Sequence, residues 1–210
     1  ADLTVNQLKQ HGQLAAQNKI TVQANTITSD KNAVWVAGLD QDGKLSNTDA
    51  TLNIDAQQVQ LAGKILAGAE LQIKAAQTAD LSQSESQAKK INIATTQLNT
   101  SNAKIIADEQ LDLTATQSID NEKGQYSAKQ VNLNTAKLNN KQGLIQHTGK
   151  NDFILDVANR IDNNAGQIIS NAARTVIKTN TLNSVAGEIL HAGDQQLKIT
   201  AQNMQGQAMK

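Results

Sequence analysis

The 210-residue chain has three histidines, His11, His147 and His191, and no cysteine. The imidazoles are therefore its first candidates for metal or acid–base chemistry. His147 and His191 each follow a glycine, Gly143 and Gly187, by four positions, and Ser170 holds the same place in between. If the chain stacks its repeats, the two rings share a column two steps apart, roughly 10 Å. Zinc needs nitrogen ligands at about 2 Å, so they cannot share a metal. They read as solvated turn histidines, and neither metal nor cofactor is expected.

Carboxylates come next. A glycosidase pair must lie about 5–10 Å apart. Asp120, Glu122 and Asp162 fall at different corners, while Asp112, Asn132 and Asp156 fall at comparable outward places. No aromatic platform accompanies them, so the chain reads as non-enzymatic. Asp40-x-Asp42-Gly43 is faintly like a calcium loop, but the other EF-hand ligand positions are missing. Thr-x-Thr triplets at Thr26, Thr114 and Thr179 do not fall in successive repeats, which argues against a flat ice-binding face.

Recognition has one candidate. Roughly ten residues are inserted near 35–50, and the Asp42-Gly43 pair flanked by apolar residues reads as a small hairpin. The insertion starts with the sole tryptophan. Exposed aromatics anchor partners, so Trp35, Leu39, Asp40 and Asp42 are the candidate partner-binding residues. The competing reading packs Trp35 on the flank of the fold and pins the insertion down.

These residues must be positioned by a repeat. Pairs of the form apolar-x-apolar recur at Leu52/Ile54, Leu71/Ile73, Ile91/Ile93, Leu111/Leu113 and Val131/Leu133. Apolar-Asn/Asp follows, as in Leu98-Asn99, Ile119-Asp120, Leu138-Asn139, Ile161-Asp162 and Leu182-Asn183. Gly-x-apolar closes the unit at Gly124, Gly143, Gly166 and Gly187. Three landmarks about twenty residues apart, with alternation lasting only three to five residues, indicate short strands joined by turns. One unit cannot bury its own apolar face, so the units must stack. The expected fold is all-β: a right-handed, single-stranded parallel β-helix of nine or ten coils. It forms one domain over 1–210, with a degenerate, bulging coil at 74–90 and a register slip at Thr175–Lys178.

The remaining composition fits this. Aromatics are 1% of residues, as a thin aliphatic prism requires, and proline is absent, as continuous ladders require. The polar positions Asn99, Asp120, Asn121, Asn139, Asn140, Asp162, Asn163 and Asn183 read as a stacked turn ladder. There Asn and Asp tolerate left-handed backbone, and the four landmark glycines serve the next corner. Tyr126 takes a place held by Ile or Leu elsewhere. The 19 basic and 19 acidic residues balance, which argues against nucleic-acid binding. No apolar run approaches the ~20 residues of a membrane span.

Ile119-Asp120-Asn121-Glu122-Lys123-Gly124-Gln125, Leu138-Asn139-Asn140-Lys141-Gln142-Gly143-Leu144-Ile145 and Ile161-Asp162-Asn163-Asn164-Ala165-Gly166-Gln167-Ile168 resemble filamentous haemagglutinin repeats. The resemblance is strong over 91–204 and looser over 1–73. It implies a shaft segment of a large exoprotein of Gram-negative two-partner secretion, either an adhesin or a toxin-delivery protein of contact-dependent growth inhibition. It also implies secretion through an outer-membrane transporter, residence outside the cell or on its surface, and further coils as neighbours. The distal region would meet a target-cell receptor or glycan. Neither a secretion-domain motif nor a toxin domain is legible, so the chain reads as part of a longer shaft.

Overall fold

The computed structural model describes residues 1–206, which contain strands and turns and no helix. In chain order the strands are β1 (Asp2–Thr4), β2 (Gln7–Gln10), β3 (Gln13–Ala16), β4 (Lys19–Ser29), β5 (Val34–Ala37), β6 (Thr51–Leu61), β7 (Gly63–Ala67), β8 (Glu70–Asp80) and β9 (Ser84–Asn99). They continue as β10 (Lys104–Asp120), β11 (Gln125–Ala128), β12 (Gln130–Asn139), β13 (Leu144–His147), β14 (Phe153–Asp162), β15 (Gln167–Ser170), β16 (Thr175–Ser184), β17 (Glu188–His191) and β18 (Leu197–Gly206). Strand–strand pairings among them are parallel, each strand lying on its equivalent about 21 residues on. The result is a β-solenoid of about 10 turns.

Strand alternation and register explain the core. On the first face an inward column runs from Leu3 through Val22, Ile54, Ile73, Ile93 and Leu113 to Leu133, then through Leu155 and Ile177 to Ile199. On the second face it runs from Leu8 through Ile27, Val59, Ala79, Leu98, Ile119, Leu138, Ile161 and Leu182 to Met204. The third reads Leu14, Trp35, Ile65, Ser86, Ile105, Tyr126, Ile145, Ile168 and Ile189. Interior members are 0–6% exposed. Each such aliphatic side chain contributes ~2 kcal/mol on burial.

Trp35 is thus a core residue of β5, 0% exposed, and not the exposed anchor of an insertion. The periodicity should have put it inside: it occupies the inward place after Val34, equivalent to Leu14 and Ile65. Its indole N–H has no hydrogen-bond partner among the described residues. Trp35→Ala is expected to lower unfolding free energy by about 3 kcal/mol. Trp35→Phe should cost much less, because it removes the orphaned donor along with part of the ring. Denaturant titration of both variants measures the difference.

The segment 74–90 is also regular, which corrects the expected bulging coil. Ser84 and Ser86 are 3% and 1% exposed and fill the inward places that Ala103 and Ile105 fill one coil later. Serine in a core column carries no apolar landmark, which hid the coil. Irregularity is confined to one extra residue between Lys74 and Thr78. The same single-residue bulge recurs at Ala115–Ser118 and Val157–Arg160, in every second coil from β8 to β16. Intervening tight corners carry Thr95, Thr135 and Thr179, whose hydroxyls donate to the carbonyls of Gln97, Lys137 and Thr181 at 3.3, 3.1 and 3.4 Å. Bulged coils carry Asp80, Asp120 and Asp162 at the end of the second face, and tight coils carry Asn99, Asn139 and Asn183. Stacked strands lie ~4.8 Å apart, so the alternation keeps carboxylates from sitting directly on one another. From β8 to β16 the structural repeat is therefore two coils long, whereas β4 and β6 pair without a bulge, as do β16 and β18.

Candidate functional site

The chain leaves the coil after Ala37, at Gly38 with φ 119°, so the insertion begins three residues later than the sequence suggests. It is a small hairpin, as the Asp-Gly pair implies: Leu39 and Leu45 form an isolated antiparallel bridge. The Asp40 carboxylate accepts the backbone N–H groups of Asp42 and Lys44 at 3.0 and 2.8 Å. The Lys44 N–H above all holds its pKa below the ordinary carboxylate value. Asp40 therefore caps its own turn, while Asp42 is exposed and Leu39 half-buried. Asn47 Nδ2 donates to Gln17 O and Asn18 Oδ1, both at 2.9 Å, and Lys89 Nζ donates to Thr48 O at 2.8 Å. Gly68 admits the hairpin's base: a Cβ there would lie 1.8 Å from Asn47 O. The hairpin is thus clamped to coils below and above. Its exposed apolar group is Leu45, 44% exposed, beside a cleft of about 180 Å³ lined by Thr48, Gln87 and Lys89.

A wider polar notch, about 370 Å³, opens at the Ala62-Gly63 corner between His11, Asp30, Lys31, Gln60 and Gln83. His11 Nδ1 lies 2.8 Å from Asp30 Oδ2, and this contact leads the causes that lower the Asp30 pKa.

His147 and His191 do share a column, Ala128–His147–Ser170–His191, but His147 is not a solvated turn residue. It is 0% exposed, with its ring centroid 5.1 Å from that of Phe153. Nε2 donates to Asn151 O at 3.0 Å and Nδ1 accepts the Val131 N–H at 3.3 Å, which defines the tautomer. One residue, Lys129, joins the third face to the first in the preceding coil, whereas 148–152 do so here. The imidazole fills the space under that longer loop. Thr175 does not slip out of register; it sits between Phe153 and Leu197, 1% exposed. Its hydroxyl lies 2.8 Å from Ser170 Oγ and 2.9 Å from His191 Nδ1.

Burial depresses the His147 pKa from its ordinary value near 6.5. The unfolded chain then binds the proton more readily than the folded one, so stability is full above pH ~6.5 and declines as pH falls through that value towards the folded pKa. Denaturant midpoints are expected to drop between pH 7.5 and 5.5. The His147→Gln variant should show a smaller drop; an equal drop contradicts the assignment.

The turn ladder exists, in two columns with different tasks. In the outer one the carboxylate or amide oxygens of Asn99, Asp120, Asn139 and Asp162 accept the N–H two residues on, from Ser101, Glu122, Lys141 and Asn164. Asn99 Nδ2 reaches Asp80 at 3.1 Å and Asn139 Nδ2 reaches Asp120 at 2.9 Å. Asp162 instead receives Arg160 at 2.7 Å and Lys141 at 3.5 Å, and Asn183 ends the series. In the inner column Asn121, Asn140 and Asn163 are 0% exposed. Asn121 Nδ2 donates to Asn140 Oδ1 and Asn140 Nδ2 to Asn163 Oδ1, both at 2.7 Å; Asn163 Nδ2 donates to Ser184 Oγ at 3.2 Å. Thr100, one coil before Asn121, bonds instead to Asp120 O and to the Tyr126 hydroxyl, which is how a tyrosine is accommodated in the core.

Left-handed backbone falls on neither column, and not on Gly124, Gly143, Gly166 or Gly187, though Gly63, in the same place of its own coil, has φ 85°. Among non-glycine residues it belongs to Gln83, Asn102, Lys123, Gln142, Ala165 and Ala186, with φ between 53° and 63°. Gly124, Gly143, Gly166 and Gly187 are required by close approach: a Cβ would come within 2.0–2.4 Å of an oxygen of the Asn ladder or its backbone.

The outward carboxylates do not converge. Asp112 pairs with Asn132, whose Nδ2 lies 2.6 Å from Asp112 Oδ1. Asp156 stands just before the Thr135–Val157 pair, out of that column, and bonds Lys178 at 3.2 Å. Among the described residues no group of three or more His, Asp or Glu could hold a metal ion, and no helix is long and apolar enough to cross a membrane. The chain matches no protein-family model, no curated protein and no solved structure.

Proposed function

We propose that the chain is a stretch of rigid shaft in a secreted or surface-bound exoprotein of a Gram-negative bacterium, exported by two-partner secretion. The shaft holds a distal adhesive or toxin-bearing region away from the cell and performs no catalysis itself. One observation carries the reading: the three inward columns persist through about 10 stacked turns, with rows of backbone hydrogen bonds binding each coil to the next. At ~4.8 Å per coil, the ten copies of the first strand build a rod ~45 Å long. The resemblance of 91–204 to filamentous haemagglutinin repeats supports the adhesin or growth-inhibition parent, the transporter partner and the location.

The test is a deletion of 91–130 in the intact exoprotein. This removes two coils and places Val131 after Lys90, preserving the two-coil alternation. A shaft remains folded and ~10 Å shorter, and target attachment persists. Loss of attachment by a folded, surface-displayed protein refutes the shaft reading. That outcome favours a second reading, a receptor- or glycan-binding module, for which the exposed Leu45 of the clamped hairpin speaks.

A further inference from the structure

The coils are not held together evenly. On the first face β10 pairs with β12 from Gln110/Gln130 onward, and β14 with β16 from Phe153/Thr175 onward. Between them β12 pairs with β14 only from Thr135/Val157, so Val131–Asn134 and Phe153–Asp156 have no ladder pairing with each other. The path of the chain explains the gap. The N–H groups of Thr148 and Gly149 donate downward, to Ala128 O at 2.9 Å and Lys129 O at 3.0 Å. Lys150 O then accepts the Ala173 N–H at 2.9 Å, and the Phe153 N–H donates to Arg174 O at 3.0 Å. The loop thus switches from the coil below to the coil above at Lys150, and the start of β14 is laddered to β16 alone. Ile154, on its outward side, is 53% exposed.

His147 spans this seam. Its Nδ1 accepts the N–H of Val131, a residue with no ladder partner in the coil above, and its Nε2 donates to Asn151 O in the loop. Only a neutral ring can do both. An imidazolium has two donors and would set one N–H against that of Val131. The titratable and charged groups on the elements around the ring are Lys129, Lys150, Asp152, Asp156, Arg174 and His191. Both carboxylates are committed to cations, Asp152 to Arg174 Nε at 3.0 Å and Asp156 to Lys178 at 3.2 Å, and His191 Nδ1 lies 2.9 Å from the Thr175 hydroxyl. No ion pair among the described residues offsets a positive charge on His147, which burial also disfavours.

We propose that this seam is an acid-released joint in the rod: a proton taken up on His147 Nδ1 frees Lys150–Asp156 from Val131–Asn134, while the ladders on either side stay closed. The open form keeps the proton more readily than the closed one, so acid favours opening. Such a joint gives the rod one defined place to yield, whatever the parent protein does, and it is independent of the coil deletion that tests the shaft reading.

Residue-resolved amide exchange of the 210-residue protein at pH 7.5 and 5.5, corrected for the intrinsic rate, reads the joint. A freed imidazole titrates near 6.5, so exchange at Val131 should speed up by as much as about tenfold over that interval. Amides in the β10–β12 and β14–β16 ladders should keep their protection. The His147 ring resonances of the wild type should titrate with the same midpoint as the Val131 exchange, so the assignment does not depend on a variant folding. His147→Gln, neutral at both pH values, should abolish the dependence, and His191→Gln should leave it in place. Unchanged Val131 protection at pH 5.5 overturns the joint. So does exchange that rises equally in the flanking ladders, a ring titration with a different midpoint, a dependence that survives His147→Gln, or one that His191→Gln removes.

Discussion

Gly166→Ala is expected to destabilise the rod by about 4 kcal/mol, the exceptional range for one methyl group. An alanine Cβ would stand 2.0 Å from Asn140 O, 2.7 Å from Asn163 Oδ1 and 3.1 Å from Asn140 Nδ2. The carbonyl cannot retreat freely, because it accepts the Gly143 N–H at 3.1 Å, and the amides belong to the ladder. Relief must therefore separate two coils, sacrificing dispersion contacts and backbone bonds along with the clash. The neighbouring substitution has the opposite sign. Ala165 holds φ 53°, a left-handed conformation costing an L-residue ~1–2 kcal/mol, part of which glycine would return against its greater unfolded-state freedom. Ala165→Gly should be neutral to about 1 kcal/mol stabilising. Chemical denaturation of the pair decides: a tolerated Gly166→Ala with a damaging Ala165→Gly would mean that the glycine is there for its φ, as the sequence alone suggests.

That one-residue displacement shows what periodicity conveys. Apolar alternation at Leu111/Leu113 or Ile161 reports which side faces inward, and its recurrence at a fixed period reports stacking, so class, coil number and ladder were legible. What escaped were places where the inward residue is not an aliphatic. Ser86 and Thr175 occupy core columns with hydroxyls, and both were read as defects. His147 is buried because the following loop lengthens, a relation visible only once Asn151 O is seen on its Nε2. Residue type left Trp35 between recognition and packing on the flank, when its position, between Val34 and Val36, already placed it inside, in the third column. Nor could the glycines' role be read, since close approach depends on a chain segment roughly twenty residues away. Of the partner-binding candidates, Asp40 is occupied by its turn and Trp35 by the core. Leu45, one of the apolar residues flanking the Asp42-Gly43 pair but not among those candidates, is the exposed apolar group of the hairpin.

The inner ladder makes the second large prediction. Asn140 is 0% exposed and connects its neighbours in both directions: Oδ1 accepts Asn121 Nδ2, while Nδ2 donates to Asn163 Oδ1 and lies 3.2 Å from Gln167 O. Asn140→Leu fills similar volume but orphans a donor on Asn121 and acceptors on Asn163 and Gln167. Each buried orphan costs ~1–3 kcal/mol, so the variant should lose about 4 kcal/mol. Asn140→Asp separates hydrogen bonding from shape. Its ionised carboxylate would still accept from Asn121 but would face Asn163 Oδ1, an acceptor, in a site without solvent. Both effects raise the folded-state pKa above the unfolded value, so the variant is destabilised at neutral pH and recovers as pH falls through the raised pKa, where the acid proton can replace the missing amide hydrogen. Wild type lacks this carboxyl and should show no such recovery. If Asn140→Leu unfolds at the wild-type denaturant midpoint, the amide column is a by-product of turn geometry, and cohesion between coils at this corner resides in the backbone alone. If Asn140→Leu fails and Asn140→Asp regains stability only in acid, the directional chain of amides is itself part of what holds one coil to the next.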